Sequence, residues 1–276
     1  MNWKQLISAK RFGMEEFHEE RQENRSEFQR DYDRLIFSAP FRRLQNKTQV
    51  FPLPGSVFVH NRLTHSLEVA SVGRSLGDDV AKALLERHPE LQDSFLPEIG
   101  SIVSAACLAH DLGNPPFGHS GEKAISTFFS EGKGVRLKEK QPNGEQLSPM
   151  EWEDLTHFEG NANAFRILTH QFEGRRKGGF VLTYTTLASI VKYPFSSSLA
   201  GSKSKFGFFI SEEESFQKIA TELGLTLLNE HPLKYARHPL VYLVEAADDI
   251  CYQMMDIEDA YKLKILTTEE TKELLM

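Results

Sequence analysis

The sequence predicts an all-α protein, with short extended or hairpin segments in its loops. Two observations support this fold class. Apolar residues recur at roughly helical spacing along most of the chain, and clusters of Gly and Pro interrupt that spacing at a few places. The 276 residues, 40% hydrophobic and 26% charged, are enough to bury a substantial core. We therefore expect a single domain over residues 1–276.

The predicted elements follow in chain order. Residues 14–38 are rich in Glu, Arg and Gln, and prolines at positions 40, 52 and 54 then mark turns and extended backbone. Segments with helical spacing come next, and the second of them stops at Gly113 and Pro115-Pro116. They are "NRLTHSLEVASVGRSLGDDVAKALLERH", "PEIGSIVSAACLAHDLG", "GHSGEKAISTFFSE", "WEDLTHFEGNANAFRILTHQF", "TTLASIVKYP" and "HPLVYLVEAADDICYQMMDIEDAYKL".

Two stretches between these helices have little apolar content. Residues 131–150 are rich in Gly, Pro and Lys, which predicts an exposed, mobile insertion or lid. "SSSLAGSKSKFGFF" predicts a flexible basic loop. The last residues, "TTEETKELLM", are typical of a capped helix that has barely begun, so we expect the natural protein to continue.

Composition narrows the function classes. The formal net charge of −7 argues against a protein that coats nucleic acid by bulk electrostatics, although a local basic groove remains compatible with it. The two cysteines, Cys107 and Cys251, lie in apolar helical segments and argue against a disulfide framework. There is neither an apolar run of 18 residues nor a basic-then-apolar leader. We expect a soluble, cytoplasmic protein without a membrane partner.

The stretch "LAHDLGNPPFGHSGE" allows two interpretations. It could be a helix end with polar caps, or half of a metal site followed by an acid/base pair. Divalent metals bind neutral imidazoles and carboxylates, and an unpaired ionisable group in an apolar helix is costly. The candidates for ligands are His65, the adjacent His110-Asp111 and an Asp in "EAADDICYQMMD".

Helical spacing groups further polar residues. Asp248, Tyr252 and Asp256 follow at i, i+4 and i+8, so one helix face presents all three, and Arg62 and His65 share a face at i, i+3. A lone helical His is more often a core or surface residue, and Asp248-Asp249 could be a hydrated face. The order of the residues and the continuation "GNPPFGHSGE", which no helix cap requires, favour a ring of helices with ligands pointing inward.

Five ordered motifs carry a resemblance to a known family. The order His65, His110-Asp111 and Asp248 resembles the metal-binding pattern of the HD-domain phosphohydrolases. "HNRLTHSLEVA", "AHDLGNPPFGHSGE", "HFEGNANAFRIL", "VKYP" and "EAADDICY" resemble, more narrowly, the bacterial dGTPase type of deoxynucleotide triphosphohydrolase. The resemblance runs from about Arg34 to Asp259 and implies an HD-type helical bundle around a metal site.

The resemblance implies one divalent metal ion, Mn or Mg, with Fe, Co or Ni as further candidates. Its ligands would be His65, His110, Asp111 and Asp248. A mixed set of imidazoles and carboxylates suits Mn or Fe better than Mg, which prefers oxygen ligands.

The resemblance also implies a substrate site. Arg62 would hold a phosphate through its planar fork, Lys192 and Lys205 would hold the others, and Asn161 and Tyr193 would lie beside them. The remaining implied contacts are to the sugar and base: Tyr252 stacks on the sugar, Asp256 accepts from the 3′-hydroxyl, and Gln49 and Val50 line the sugar and base side. Close contact from Val50 and Tyr252 would leave no room for a 2′-hydroxyl.

His119 and Glu122 are the predicted acid/base pair. The Pro-Pro turn reverses the chain after the metal ligands, so the first turn of the next helix returns over the metal, and i, i+3 spacing places both side chains on one face. A carboxylate beside an imidazole raises its pKa and orients it for proton transfer. His157, in "LTHFEGN", is a candidate third member.

The predicted function is hydrolysis of a dNTP, with dGTP favoured, to deoxynucleoside and inorganic triphosphate by attack at the α-phosphorus. The resemblance also implies a homo-oligomer, a hexamer by family habit, with single-stranded DNA as a candidate regulator. One alternative is another HD phosphohydrolase, acting on a cyclic nucleotide or an alarmone. The other is a catalytically silent nucleotide-sensing or single-stranded-DNA-binding module, which the basic stretches "GRRKGG" and "SKSK" favour slightly.

Overall fold

The computed structural model describes residues 2–16, 25–49, 60–140, 144–174, 177–201 and 204–276. In these ranges the chain is predominantly helical, and the paired strands β1 (Leu227–Asn229) and β2 (Lys234–Tyr235) form a short antiparallel ribbon. The predicted all-α class is confirmed. Across the described ranges, no helix combines the length and the apolar character that crossing a membrane requires.

The helices vary from one turn to seven turns, and short 3₁₀ segments join several of them. The α-helices are α1 Trp3–Leu6, α2 Glu27–Ile36, α3 Ala39–Arg43, α4 Arg62–Arg87, α5 Ile99–Ala109, α6 Gly118–Ser130, α7 Pro149–Thr156, α8 Gly160–Thr169, α9 Tyr184–Ile190, α10 Glu213–Glu222, α11 Val241–Lys262 and α12 Thr268–Leu275. The 3₁₀ segments are Leu44–Asn46, Pro89–Leu91, Leu96–Glu98, Lys133–Lys138, Ser197–Leu199 and Ile210–Glu212.

Helix α5 is the centre of the core, since each of its residues is buried. Helices α2, α4, α9 and α11 pack around it. The α4–α5 contact is close because α4 carries glycines there: a Cβ at Gly77 would lie 2.7 Å from the Cα of Gly100. This packing brings the N-terminal turn of α4 next to the end of α5, where the predicted metal ligands lie.

The start of α4 is fixed by two contacts. The side chain of Asn61 accepts hydrogen bonds from the backbone N–H groups of Leu63 and Thr64, both at 3.0 Å, in a capping box with Thr64. His60 is bound through its backbone N–H and its ring Nδ1 to the carboxylate of Asp259, near the end of α11, both at 2.9 Å. The first turn of α4 is therefore held at both the helix cap and the partner helix.

Several observed helices differ from the predicted ones, and "TTLASIVKYP" is helical only to Ile190. Helix α5 ends at Ala109, so His110 and Asp111 lie in the following turn rather than in the helix. "WEDLTHFEGNANAFRILTHQF" contains two helices, because the side chain of Glu159 caps a new helix at Gly160. Helix α10 was not predicted, although Phe216, Ile219, Ala220 and Leu223 show the spacing of one buried face.

The predicted insertion and the predicted basic loop have different outcomes. Residues 131–140 and 144–150 are mostly exposed and include the 3₁₀ segment Lys133–Lys138, and their role as a mobile lid stays a prediction. The prediction of a flexible loop is wrong for the end of "SSSLAGSKSKFGFF", because Phe206 and Phe208 are fully buried. These two buried rings hold the backbone at the end of the loop in place.

Candidate active site

Most of the predicted site residues converge on one cavity of about 490 Å³. Its wall is built from the N-terminal turns of α4, α6 and α8, the turn after α5, the segment after α9 and one face of α11. The predicted residues that line it are Gln49, Arg62, His65, His110, Asp111, His119, Glu122, Asn161, Lys192, Tyr193, Lys205, Asp248 and Tyr252.

The four predicted metal ligands lie together in this cavity. Ligand atoms of His65, His110 and Asp111 lie within 4.8 Å of one another. The Oδ1 atom of Asp248 lies 2.9 Å from Nε2 of His65 and 3.6 Å from Nε2 of His110. The ligands come from α4, the turn after α5 and α11, which are far apart in the sequence and meet only through packing around α5.

The chemistry of this cluster fits a divalent ion. The ring of His110 forms a 2.6 Å hydrogen bond from Nδ1 to the carbonyl oxygen of Cys107, and its buried Nε2 has no hydrogen-bond partner. When Nδ1 carries the proton, Nε2 has the free lone pair that a metal ligand needs. Two imidazoles and two carboxylates therefore face one point, and this donor set fits a divalent-metal site.

Electrostatic attraction between the imidazoles and the carboxylates stabilises the charged forms of the cluster. Burial lowers the pKa of His110, but the carboxylates of Asp111 and Asp248 outweigh that effect and raise the pKa to about 9. Burial likewise opposes the ionised form of Asp248, and the two imidazoles overcome it and hold the pKa of Asp248 below its ordinary value. A divalent cation would replace the proton that these groups share.

The turn after α5 is shaped by close contact with α8. A Cβ at Gly113 would lie 2.1 Å from the backbone nitrogen of Ala164 and from the carbonyl oxygen of Gly160, so a larger residue cannot occupy this position. Asn163 donates a 2.8 Å hydrogen bond to the carbonyl of Gly113, and Asn114 donates to Asp111. The "GNPP" sequence thus docks the turn on α8 and orients the Asp111 carboxylate.

His119 and Glu122 form the predicted pair on the first turn of α6. Nδ1 of His119 lies 2.8 Å from Oε2 of Glu122, and the His119 side chain is 85% exposed whereas that of Glu122 is 12% exposed. Glu122 also accepts a 2.8 Å hydrogen bond from the backbone N–H of Gly160. Burial raises the pKa of Glu122, and the hydrogen bonds from His119 and Gly160 reverse that effect and lower it. The carboxylate is thereby held ionised beside the imidazole.

Phe117 precedes this pair and was missed in the sequence. Its backbone is left-handed (φ 67°), a conformation that costs a non-glycine residue free energy, and its side chain is 64% exposed at the cavity. The Pro-Pro pair before it and Gly118 after it, also at positive φ, are the sequence signals of a strained turn. An exposed aromatic ring at the cavity is a candidate surface for a sugar or base.

Each cation predicted to hold phosphate already has a carboxylate partner. Nη1 of Arg62 lies 2.7 Å from Oδ2 of Asp111. Nζ of Lys192 lies 2.7 Å from Oε1 of Glu245, and Nζ of Lys205 lies 2.8 Å from Oε1 of Glu159.

Glu159 and Glu245 were not predicted. Glu245 lies one turn before Asp248 on the same face of α11, so helical spacing could have identified it. Glu159 stands in the quoted motif "HFEGNANAFRIL", but its contact with Lys205 across 46 residues had no sequence signal.

Three predicted residues do not join the described cavity wall. His157 lies at the end of α7, where its Nδ1 donates a 3.1 Å hydrogen bond to the carbonyl of Glu153. Asp256 lies one turn beyond Tyr252 on α11 and is not part of the lining. Val50 lies outside the described residues. Their roles stay predictions.

Residues 62–177 match the HD domain family, in agreement with the helical bundle and the His-Asp cluster. Residues 62–177 are therefore identified as an HD domain, and the predicted resemblance is confirmed at this level.

The full chain is also similar to named proteins. It is 46% identical to a deoxyguanosinetriphosphate triphosphohydrolase-like protein of Pseudomonas aeruginosa, over 100% of this chain and 61% of that protein. A protein of the same name from Synechocystis sp. is 45% identical over 96% of this chain and 61% of its own length. The deoxyguanosinetriphosphate triphosphohydrolase of Yersinia enterocolitica is 36% identical, over 98% of this chain and 57% of its own length. The chain thus spans about three fifths of the length of these relatives.

Proposed function

We propose that this chain carries the active site of a divalent-metal-dependent dNTP triphosphohydrolase. The reaction is dGTP and water to deoxyguanosine and inorganic triphosphate. The observation that supports it most directly is that the His-Asp cluster, the His119–Glu122 pair and the three cations predicted to bind phosphate line one cavity. The names of the relatives add support for a triphosphohydrolase acting on dGTP.

Each side chain has a role that follows from its position. Arg62, at the edge of the metal cluster, binds the α-phosphate, and Lys192 and Lys205 bind the other two phosphates. Water attacks the α-phosphorus and the bond to the 5′-oxygen breaks, so all three phosphorus atoms leave together. His119 moves the proton at its Nε2 atom, either from the attacking water or to the 5′-oxygen, and Glu122 orients its ring through Nδ1.

His65, His110, Asp111 and Asp248 would hold the metal, and their mixed donor set suits Mn or Fe better than Mg, with Co or Ni as further candidates. When bound, the ion supplies Lewis-acid stabilisation of charge on the α-phosphate and polarisation of a water molecule.

Tyr252 gives the cavity a wall for the sugar. Its ring lines the cavity from α11 and is 45% exposed, so it is free to stack on a ligand. Together with Val50 and with Asp256 beyond it, this ring is proposed to select deoxyribose. We further propose a cytoplasmic homo-oligomer, a hexamer with single-stranded DNA as a regulator, on the strength of the family resemblance alone.

Product analysis tests the proposed function. Incubation with dGTP and Mn should release deoxyguanosine and inorganic triphosphate in equal amounts, and GTP should react far more slowly. In ¹⁸O-labelled water the label should enter triphosphate, because attack at phosphorus places the new oxygen there. Formation of dGMP or dGDP, or label in deoxyguanosine, would show that the proposed reaction is wrong.

A further inference from the structure

One buried carboxylate, that of Glu159, binds two cavity residues at once. Its side chain is 1% exposed at the start of α8. Oε1 accepts hydrogen bonds from Nδ2 of Asn161 at 2.7 Å and from Nζ of Lys205 at 2.8 Å. Oε2 accepts from the backbone N–H groups of Asn161 at 2.6 Å and of Ala162 at 3.2 Å. One oxygen therefore caps the helix, and the other holds side chains that line the cavity.

The identity of this residue is unusual for a helix cap. Ser, Thr, Asp and Asn are the preferred residues at this position because their short side chains reach the first free N–H groups. In this protein Ser, Thr or Asn caps α2, α3, α4, α7, α9 and α12. Glu159 is longer by one methylene than a cap requires, and that extra length places Oε1 against Lys205 and the Asn161 amide.

The environment of Lys205 adds a second argument. Lys205 lies between two carboxylates, 2.8 Å from Glu159 and 3.6 Å from Oε2 of Glu122. The next residue, Phe206, is fully buried and fixes the backbone. Burial raises the pKa of Glu159, so the ionised carboxylate is costly at this position and is balanced by Lys205. Capping alone would not require a buried charge.

We propose that Glu159 is a positioning residue for the triphosphate, holding Asn161 and Lys205 where they meet the phosphates. The inference rests on the proposed function for the identity of the ligand. It predicts that the cap and the positioning role can be separated by shortening the side chain, because Asp still reaches the helix N–H groups but not Lys205.

The test measures the binding of sodium tripolyphosphate by calorimetry, at one fixed Mn concentration, to the wild type, Glu159→Asp, Lys205→Met and the double variant. Glu159→Asp should still fold, because Asp is a favoured cap, and its unfolding temperature is measured alongside. It should nevertheless bind tripolyphosphate about tenfold more weakly, as should Lys205→Met. The double variant should bind at most about twofold more weakly than the weaker single variant, because both changes remove the same contact.

Glu212 supplies a matched control. It is also a buried Glu next to a helix start, 3% exposed, and it pairs at 2.5 Å with Arg166 of the same helix α8, outside the cavity lining. Glu212→Asp should lower the unfolding temperature and leave tripolyphosphate binding unchanged. Glu159→Gln, which keeps the length and loses the charge, serves as a second variant and should weaken binding in the same direction.

The inference is overturned by wild-type affinity in Glu159→Asp, by effects of Glu159→Asp and Lys205→Met that multiply, or by a wild type that does not bind tripolyphosphate. Failure of the proposed function has a different signature. Suppose that the wild type binds tripolyphosphate and that Glu159→Asp weakens this binding, but that no deoxyguanosine is released from dGTP. The triphosphohydrolase proposal is then wrong, and the positioning role of Glu159 stands.

Discussion

The orientation of the exposed His119 imidazole depends on successive hydrogen bonds to groups that are progressively more buried. Its ring is held by Glu122, and Glu122 is held in turn by the N–H of Gly160 at the start of α8. A Cβ at Gly160 would lie 2.0 Å from Oδ1 of Asn114 and 2.9 Å from Oε1 of Glu122, so a larger residue here would have to displace these side chains. The His119 side chain is thus free to meet a ligand, while its orientation is set by the protein.

Replacement of His119 separates chemistry from binding. General acid–base catalysis typically contributes about a hundred- to ten-thousand-fold in rate, so His119→Ala should lower kcat by about that factor. Metal content and dGTP affinity should remain near those of the wild type, because His119 is not a ligand. The measurement is kcat normalised to folded, metal-loaded protein.

Glu122→Ala extends this prediction. It should also lower kcat, and the double variant should lose much less than the product of the two losses, since the pair acts as a unit. If His119 and Glu122 only cap a helix, the variants will be less stable and kcat will be unchanged.

The metal cluster offers a second matched pair of neighbours. Asp248 faces His65 and His110, whereas Asp249 is exposed on the same helix. Asp248→Asn should abolish tight binding of a divalent ion and with it dGTP hydrolysis. Asp249→Asn, the same chemical change one residue away, should retain about one ion per chain. Elemental analysis of both variants checks this, and two tightly bound ions in the wild type would contradict a mononuclear site.

At the scale of elements, α7 is attached to the segment before α10 by a buried carboxyl. Oδ2 of Asp154 accepts a 2.8 Å hydrogen bond from the N–H of Ile210, and Oδ1 has no hydrogen-bond partner. Burial raises the pKa of Asp154 to about 6, because the charged form loses its hydration. The hydrogen bond from Ile210 favours the ionised form, but the loss of hydration outweighs it, so ionisation of Asp154 costs more in the folded than in the unfolded chain.

A pH dependence of stability follows from Asp154. Because its pKa is higher in the folded than in the unfolded chain, its contribution is complete below the unfolded pKa and is lost as the pH rises to about 6. Between pH 4 and about 6 the free energy of unfolding of Asp154→Asn, relative to that of the wild type, should therefore rise with pH. Urea titrations of both proteins at several pH values measure this difference. A difference that does not change with pH would show that Asp154 is ionised without cost.

At the scale of the whole molecule, the metal would join three distant parts of the chain. Its ligands lie on α4, in the turn after α5 and on α11, so an ion that binds only the folded state stabilises the whole bundle. Free metal at about 100 times its dissociation constant contributes about 2.7 kcal/mol. For a domain of this size, chelation should then lower Tm by about 5 to 10 °C. Asp248→Asn should show no such response, and an equal response in that variant would place the stabilising ion elsewhere.

Much of this organisation could be read from local patterns. The i, i+3 and i, i+4 spacings identified α4 and α11 and the faces that carry Arg62, His65, Asp248 and Tyr252. The Gly-Pro cluster after α5 was recognised as a break, and His119 and Glu122 were placed on one face. Helix ends were less predictable: α5 stops before His110 because the turn is stabilised by its own hydrogen bonds and by packing on α8.

By itself, the sequence determined the all-α class, the order of the metal ligands and the resemblance to HD-domain hydrolases, because these are properties of spacing and of ordered motifs. Only the tertiary structure decided which charges meet. The pairs Lys205–Glu159, Lys192–Glu245 and His60–Asp259 join residues 46, 53 and 199 positions apart. No local periodicity encodes such contacts, because they depend on how α4 and α11 pack around the buried helix α5 and on how α8 docks against the turn that follows it.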